Sequence, residues 1–164
     1  MSDILIRPAV PADFDAIVAL NEAAVQHTSA MDVQRLQNLH ALSTCHKVAT
    51  VDGEVTAFLL AMRENAPYPN ENYGFFAARY DVFLYVDRIV VDPSCAGLKL
   101  GTLLYRDLFD YARAQAVPVI TCEYNIEPPN EPSRRFHERF GFSEVGTQWL
   151  DGGRKRVSLQ AATP

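Results

Sequence analysis

Residues 82–104, reading VFLYVDRIVVDPSCAGLKLGTLL, decide the fold. Val82 to Val91 is the strongest strand pattern in the chain, and Asp92-Pro93 ends it because proline cannot donate to a sheet ladder. A loop holding Gly97 and Gly101 follows. Then Leu100, Leu103, Leu104, Leu108, Tyr111 and Ala112 share one helical face. Val117 to Tyr124 is strand-like again, so residues 82–124 make a strand–helix–strand unit whose two strands run parallel.

Working outward, Ile4 to Arg7 predicts a short first strand ended by Pro8. Phe14, Ile17, Val18, Asn21, Ala24 and Val25 predict a helix opened by Pro11-Ala12-Asp13, and Met31 to Leu42 predicts a second. Asp52-Gly53 joins His46–Val51 to Val55–Ala61 as a hairpin. Residues 63–81, with Pro67, Pro69 and several asparagines, read as a loop carrying a cluster of aromatics. After Pro128-Pro129 a short helix takes Asn130 to Arg139, and two last strands flank Asp151-Gly152-Gly153. The expectation is an α/β (α+β) fold. A mixed, mostly antiparallel sheet of six to seven strands is flanked by four helices, in one domain over residues 1–164.

Composition narrows the function classes. The chain has 164 residues, 48% of them apolar, and a net charge of -5. That length suits a single core. An acidic chain is a poor general binder of nucleic acid, whose affinity comes mostly from neutralising phosphates. No apolar run spans a bilayer, and Met1-Ser2-Asp3-Ile4-Leu5 lacks the regions of a secretory signal, so a cytoplasmic location is expected. Cys45, Cys95 and Cys122 have no metal-site or disulfide spacing, and His27, His40 and His46 have no metal-ligand spacing, so no metal is expected.

The loop before the second-half helix is where chemistry is expected. Glycines let backbone N–H groups approach a ligand, and a helix start adds unbonded donors and partial positive charge, a combination that suits a phosphate or pyrophosphate. The segment has neither the Gly-Lys-Ser/Thr of a Walker loop nor G-x-G-x-x-G.

A second segment, Asn130-Glu131-Pro132-Ser133-Arg134-Arg135-Phe136-His137-Glu138-Arg139-Phe140-Gly141-Phe142, resembles the N-x-x-A/S-x-x-F-Y-x-x-x-G-F signature of the GNAT N-acetyltransferase superfamily. Ala96-Gly97-Leu98-Lys99-Leu100-Gly101 is then similar to that family's R/Q-x-x-G-x-G/A pyrophosphate loop. It departs at Ala96, where the family has Arg or Gln, and at Lys99, where it has Gly. Lys99 is expected to adopt an ordinary right-handed backbone and to reach a phosphate as a point charge, or else to be a solvated lysine.

The resemblance implies acetyl-CoA as co-substrate. Gly97, Leu98, Lys99, Leu100, Gly101 and Thr102 would hold the pyrophosphate, and Asn130, Ser133 and Phe136 would lie along the pantetheine arm. Backbone groups around Ile89, Val90 and Val91 would polarise the thioester carbonyl. It also implies direct attack by an amine. His137 stands at the family's tyrosine position and is the expected acid. Asp87 is the expected base, with Glu123 as reserve or substrate contact, and Tyr85 would orient the amine. A structural ion pair is the other reading of Asp87. Tyr73, Phe75 and Phe76 in the aromatic loop are the expected acceptor wall, which would suit a cationic amine. A non-catalytic acyl-CoA sensor and a protein amino-group acetyltransferase are the alternatives to a small-molecule enzyme. A homodimer through the exposed edge of the closing hairpin is a further expectation.

Overall fold

The computed structural model describes residues 2–164. Its elements are β1 (Ile4–Pro8), α1 (Phe14–Ala23), α2 (Val33–Leu42), β2 (Cys45–Val51), β3 (Glu54–Arg63), α3 (Glu71–Arg79), β4 (Leu84–Val91), α4 (Leu100–Ala114), β5 (Ile120–Glu127), α5 (Glu131–Arg139), β6 (Ser143–Leu150) and β7 (Lys155–Ala162). The strands form one seven-stranded sheet in the order β1-β2-β3-β4-β5-β7-β6. β4 and β5 are parallel, as the helical crossover requires, while β1–β2, β2–β3, β5–β7 and β6–β7 are antiparallel. The β4–β5 ladder holds two pairs, Leu84 with Ile120 and Tyr85 with Thr121.

One expected element is overturned. Residues 71–79 form α3, a fifth α-helix inside the stretch that reads as a loop. The two prolines precede it, and Asn70, which looks like a turn residue, is its cap. Its side chain accepts from the N–H groups of Asn72 and Tyr73, both at 3.0 Å. Tyr73 and Phe76, three apart, are buried with Asn72.

The chain divides into two compact units. The first comprises Met1–Met62 and Asp87–Tyr111. Phe14, Ile17, Leu36, Leu39, Val48, Phe58, Leu60, Met62, Leu104 and Tyr105 are among its buried side chains. Its β2–β3 turn places Asp52 and Gly53 at φ 51° and 86°, the two positive values that the Asp-Gly pair predicts. Asp32 caps α2, accepting from the Arg35 N–H at 2.7 Å.

The second unit comprises Arg63–Val86 and Ala112–Pro164. Tyr73, Phe76, Phe83, Tyr85, Ile120, Cys122, Phe142, Val157 and Leu159 are buried in it. Its closing hairpin turns through Asp151, Gly152 and Gly153, all at positive φ. All three cysteines are free thiols. Among the described residues no helix is long and apolar enough to cross a membrane.

Candidate active site

In the first unit the end of β4 leads into a short 3-10 turn, Pro93–Leu98, capped by Asp92, which accepts from the Ser94 N–H and hydroxyl at 2.9 Å each. At Lys99 the backbone switches to the left-handed region, φ 57° and ψ 38°, and α4 begins. This corrects the right-handed conformation expected for Lys99. A side chain there costs about 1–2 kcal/mol that glycine avoids. The conformation also accounts for glycine at this place in the resembled loop. A right-handed residue followed by a left-handed one turns successive N–H groups into a concavity that suits an anion. The Lys99 carbonyl accepts the first helical bond, from Leu103, so the N–H groups of Leu100, Gly101 and Thr102 have no acceptor within the helix. A Cβ added at Gly97 would meet nothing within 4 Å, which leaves open space over this turn. The segment therefore fits the pyrophosphate of an acyl-CoA, although Ala96 contributes no polar side chain.

Asp87 lies in a buried ion pair. Its Oδ2 accepts from Arg88 Nε at 2.7 Å, and both side chains are 3% exposed. The rest of the guanidinium donates to Asn21 Oδ1 at 3.1 Å, and to the Ser29 carbonyl and hydroxyl at 3.0 and 2.9 Å. Asn21 donates to the same Ser29 carbonyl at 2.9 Å. Arg88 thus ties β4 to the end of α1 and the segment beyond it. That is the structural use that the ion-pair reading of Asp87 expects, and it argues against Asp87 as a mobile base. A hollow of about 670 Å³ beside α1 and α2 is lined by residues including Asp15, Val18, Glu22, Met31 and Asp32, and none of the predicted site residues borders it.

In the second unit a different carboxylate is organised. Glu123 Oε1 accepts from the Tyr85 hydroxyl at 2.8 Å and from Asn72 Nδ2 at 2.9 Å. Gln148 donates to Asn72 Oδ1 at 2.9 Å. Tyr85 is fully buried, with the rings of Tyr73 and Phe76 5.6 and 5.8 Å from its own. Asn72 and Gln148 carry no motif; only the fold brings them here.

Two of the three aromatics expected as an acceptor wall are buried. Tyr73 is buried, and its hydroxyl donates to the Arg63 carbonyl at 2.7 Å while accepting from the Ala66 N–H at 3.0 Å. Phe76 is wholly buried. Phe75 packs over Gly146, where a Cβ would come 2.8 Å from its ring. These rings anchor α3 in the unit's core.

On α5, Asn130 caps the helix, accepting from the Ser133 N–H at 3.4 Å, and Phe136 stacks edge-on with Phe140. His137 is buried, with Nδ1 2.7 Å from the Ser133 carbonyl and 3.2 Å from its hydroxyl. A carbonyl only accepts, so Nδ1 carries the proton and Nε2 of the neutral ring holds a lone pair. Burial pushes the imidazole below its usual range, partly opposed by the Ser133 carbonyl. Among the described residues no group of three or more His, Cys, Asp or Glu is arranged to hold a metal ion.

Comparison with known proteins matches residues 14–142 to the acetyltransferase (GNAT) family. A stretch of 67 residues is 42% identical to phosphinothricin N-acetyltransferase of Streptomyces coelicolor, covering 41% of this chain and 37% of that relative's length. Among solved structures, Ard1 from Thermoplasma volcanium superposes with a TM-score of 0.80 at 15% identity, covering 98% of this chain and 97% of that one. The acetyltransferase yncA from Salmonella typhimurium, solved with its cofactor acetyl-CoA, gives 0.73 at 23% identity, with 98% and 94% covered.

Proposed function

This chain belongs to the acetyltransferase (GNAT) family and uses acetyl-CoA, and from that premise we propose that residues 1–164 act as one domain moving the acetyl group to a primary amine of a small molecule or amino acid by direct attack. Acetyl-CoA supplies the acetyl group as an activated thioester. The N–H groups of Leu100, Gly101 and Thr102 and the ammonium of Lys99 would hold its pyrophosphate. Ile89, Val90 and Val91 keep the carbonyl-polarising role, and Asn130, Ser133 and Phe136 the pantetheine contacts, that the family pattern implies.

The observation that carries the reading is the Glu123 carboxylate, whose Oε1 accepts from two neutral donors, the Tyr85 hydroxyl and the Asn72 amide. An amine arrives as ammonium, with a pKa near ~10, and must lose a proton before attack. Glu123 takes that proton directly or through one water, and the Tyr85 hydroxyl holds the carboxylate in place. We assign the base to Glu123 rather than to Asp87. The His137 Nδ1–H donates to the Ser133 carbonyl and burial lowers the ring's pKa, so the sulfur leaves as thiolate without a proton from this ring. The amine nitrogen's second proton passes to that thiolate or to solvent as the tetrahedral intermediate collapses. The stretch shared with phosphinothricin N-acetyltransferase supports a small amino-acid-like acceptor.

Calorimetric titration with acetyl-CoA and CoA, followed by a screen of amino acids, phosphinothricin and short peptides for CoA release, tests the proposal. Micromolar binding and turnover on small amines are expected. Turnover confined to peptides would overturn the acceptor class. Gly97→Val, at a position where an added Cβ meets nothing within 4 Å, should weaken acetyl-CoA about tenfold with little change in the unfolding temperature.

A further inference from the structure

We infer that Asn72 is a positioning residue for the Glu123 carboxylate and that Gln148 sets the direction of its amide, an inference that rests on the proposed role of Glu123. A carboxylate only accepts hydrogen bonds, so Asn72 must present Nδ2 to Oε1. Its Oδ1 then faces Gln148, which must present Nε2. The direction of the whole chain, from β6 through α3 to β5, follows from the charge at its end.

Asn72 can act this way because α3 is pinned at several points. Asn70 caps its first turn, the Tyr73 hydroxyl bonds to the backbone at Arg63 and Ala66, and Phe75 sits over Gly146. Gly146 stands at a register shift in the β6–β7 ladder, so a bulge without a side chain admits the ring. Hydrogen bonds to the ionised form favour it. Turning Asn72 around, or replacing its amide with a second carboxylate, therefore raises the pH at which Glu123 binds its proton.

The test is an NMR titration of the glutamate carboxyl carbons in the full chain, with the Glu123 resonance assigned by its loss in Glu123→Gln. Asn72→Asp sets a like charge against Glu123. Gln148→Glu, on a half-buried edge position, makes Asn72 turn its Nδ2 away. Both should move the Glu123 titration upward by about one pH unit or more, and Asn72→Asp the further of the two. The ascending limb of kcat/KM should move with it. Should Asn72→Asp fail to fold, Gln148→Glu carries the test alone. A Glu123 titration unmoved in the folded variants overturns the positioning role, even where Glu123→Gln is inactive. Wild-type acetyl transfer by Glu123→Gln instead overturns the base assignment, whatever the titrations show.

Discussion

On β4, Asp87 meets a guanidinium from the next residue; on β5, Glu123 meets a phenol and an amide. Both carboxylates sit in apolar strands, where a bare charge is too costly to keep. The first unit neutralises its charge, and Arg88 extends the pair into the Asn21 and Ser29 contacts. The second unit gives Oε1 of its carboxylate two neutral donors, the Tyr85 hydroxyl and the Asn72 amide. The same residue class, on parallel strands, makes an ion-paired tie in one place and, in the function we propose, a base in the other.

The two buried histidines repeat the contrast. His46, in the first unit, lies with Nδ1 2.8 Å from Nδ1 of His40, so only one of the two rings can donate. Burial, then His40, pushes His46 down to about 4 against a weaker pull upward from Asp13. His137, in the second unit, donates to a carbonyl instead and anchors its own helix.

Separating the two carboxylates gives the largest effect. Glu123→Gln keeps both incoming hydrogen bonds and should lower kcat/KM on the order of a thousandfold with little loss of stability. Asp87→Asn leaves Arg88 without its counter-charge and should cost about 3 kcal/mol in denaturant unfolding, with turnover per folded molecule retained. An inactive but stable Asp87→Asn protein would reverse the two roles.

Acid should act mainly through the first unit. Unfolded, His46 titrates near ~6.5, and folded it titrates at about 4. Between those values the unfolded chain binds a proton that the folded chain does not. Stability is therefore complete above the unfolded value and falls as pH drops, by about 3 kcal/mol in all. His137 contributes with the same sign. Unfolding curves at pH 7.5 and 4.5 measure this, and His46→Gln should flatten the difference.

Smaller still, His137→Phe should lose about 1 kcal/mol of stability with its bond to Ser133 while turnover near neutral pH holds. A hundredfold drop in turnover would restore the proton-donor role that the resemblance implies. Lys99→Gly should raise stability by about 1 kcal/mol, because the left-handed turn suits glycine. A simultaneous loss of acetyl-CoA affinity would show that the ammonium contacts the phosphates.

Local interactions are legible in the residue order. The Asp52-Gly53 turn, the strand stopped by Asp92-Pro93, the apolar face of α4 and the glycine-bearing loop each depend on neighbours a few residues apart, so spacing alone reveals them. α3 is hidden because its prolines and Asn70 carry the same chemistry in a loop as in a helix entry, and only burial of Tyr73 and Phe76 separates the two. Lys99 is misread because a left-handed conformation at a lysine leaves no mark in the residue type. For the base, the residue pattern puts Asp87 first and Glu123 in reserve, whereas the partners in the fold favour the reverse order that we propose. That choice depends on partners far along the chain. Glu123 finds Tyr85 at a separation of 38 residues and Asn72 at 51, and Asn72 finds Gln148 at 76. The family, the loop for the cofactor and most of the elements belong to the sequence, because short-range patterning encodes them. Which partners meet each carboxylate belongs to the tertiary structure, because only folding decides whether a guanidinium, a phenol or an amide stands beside it.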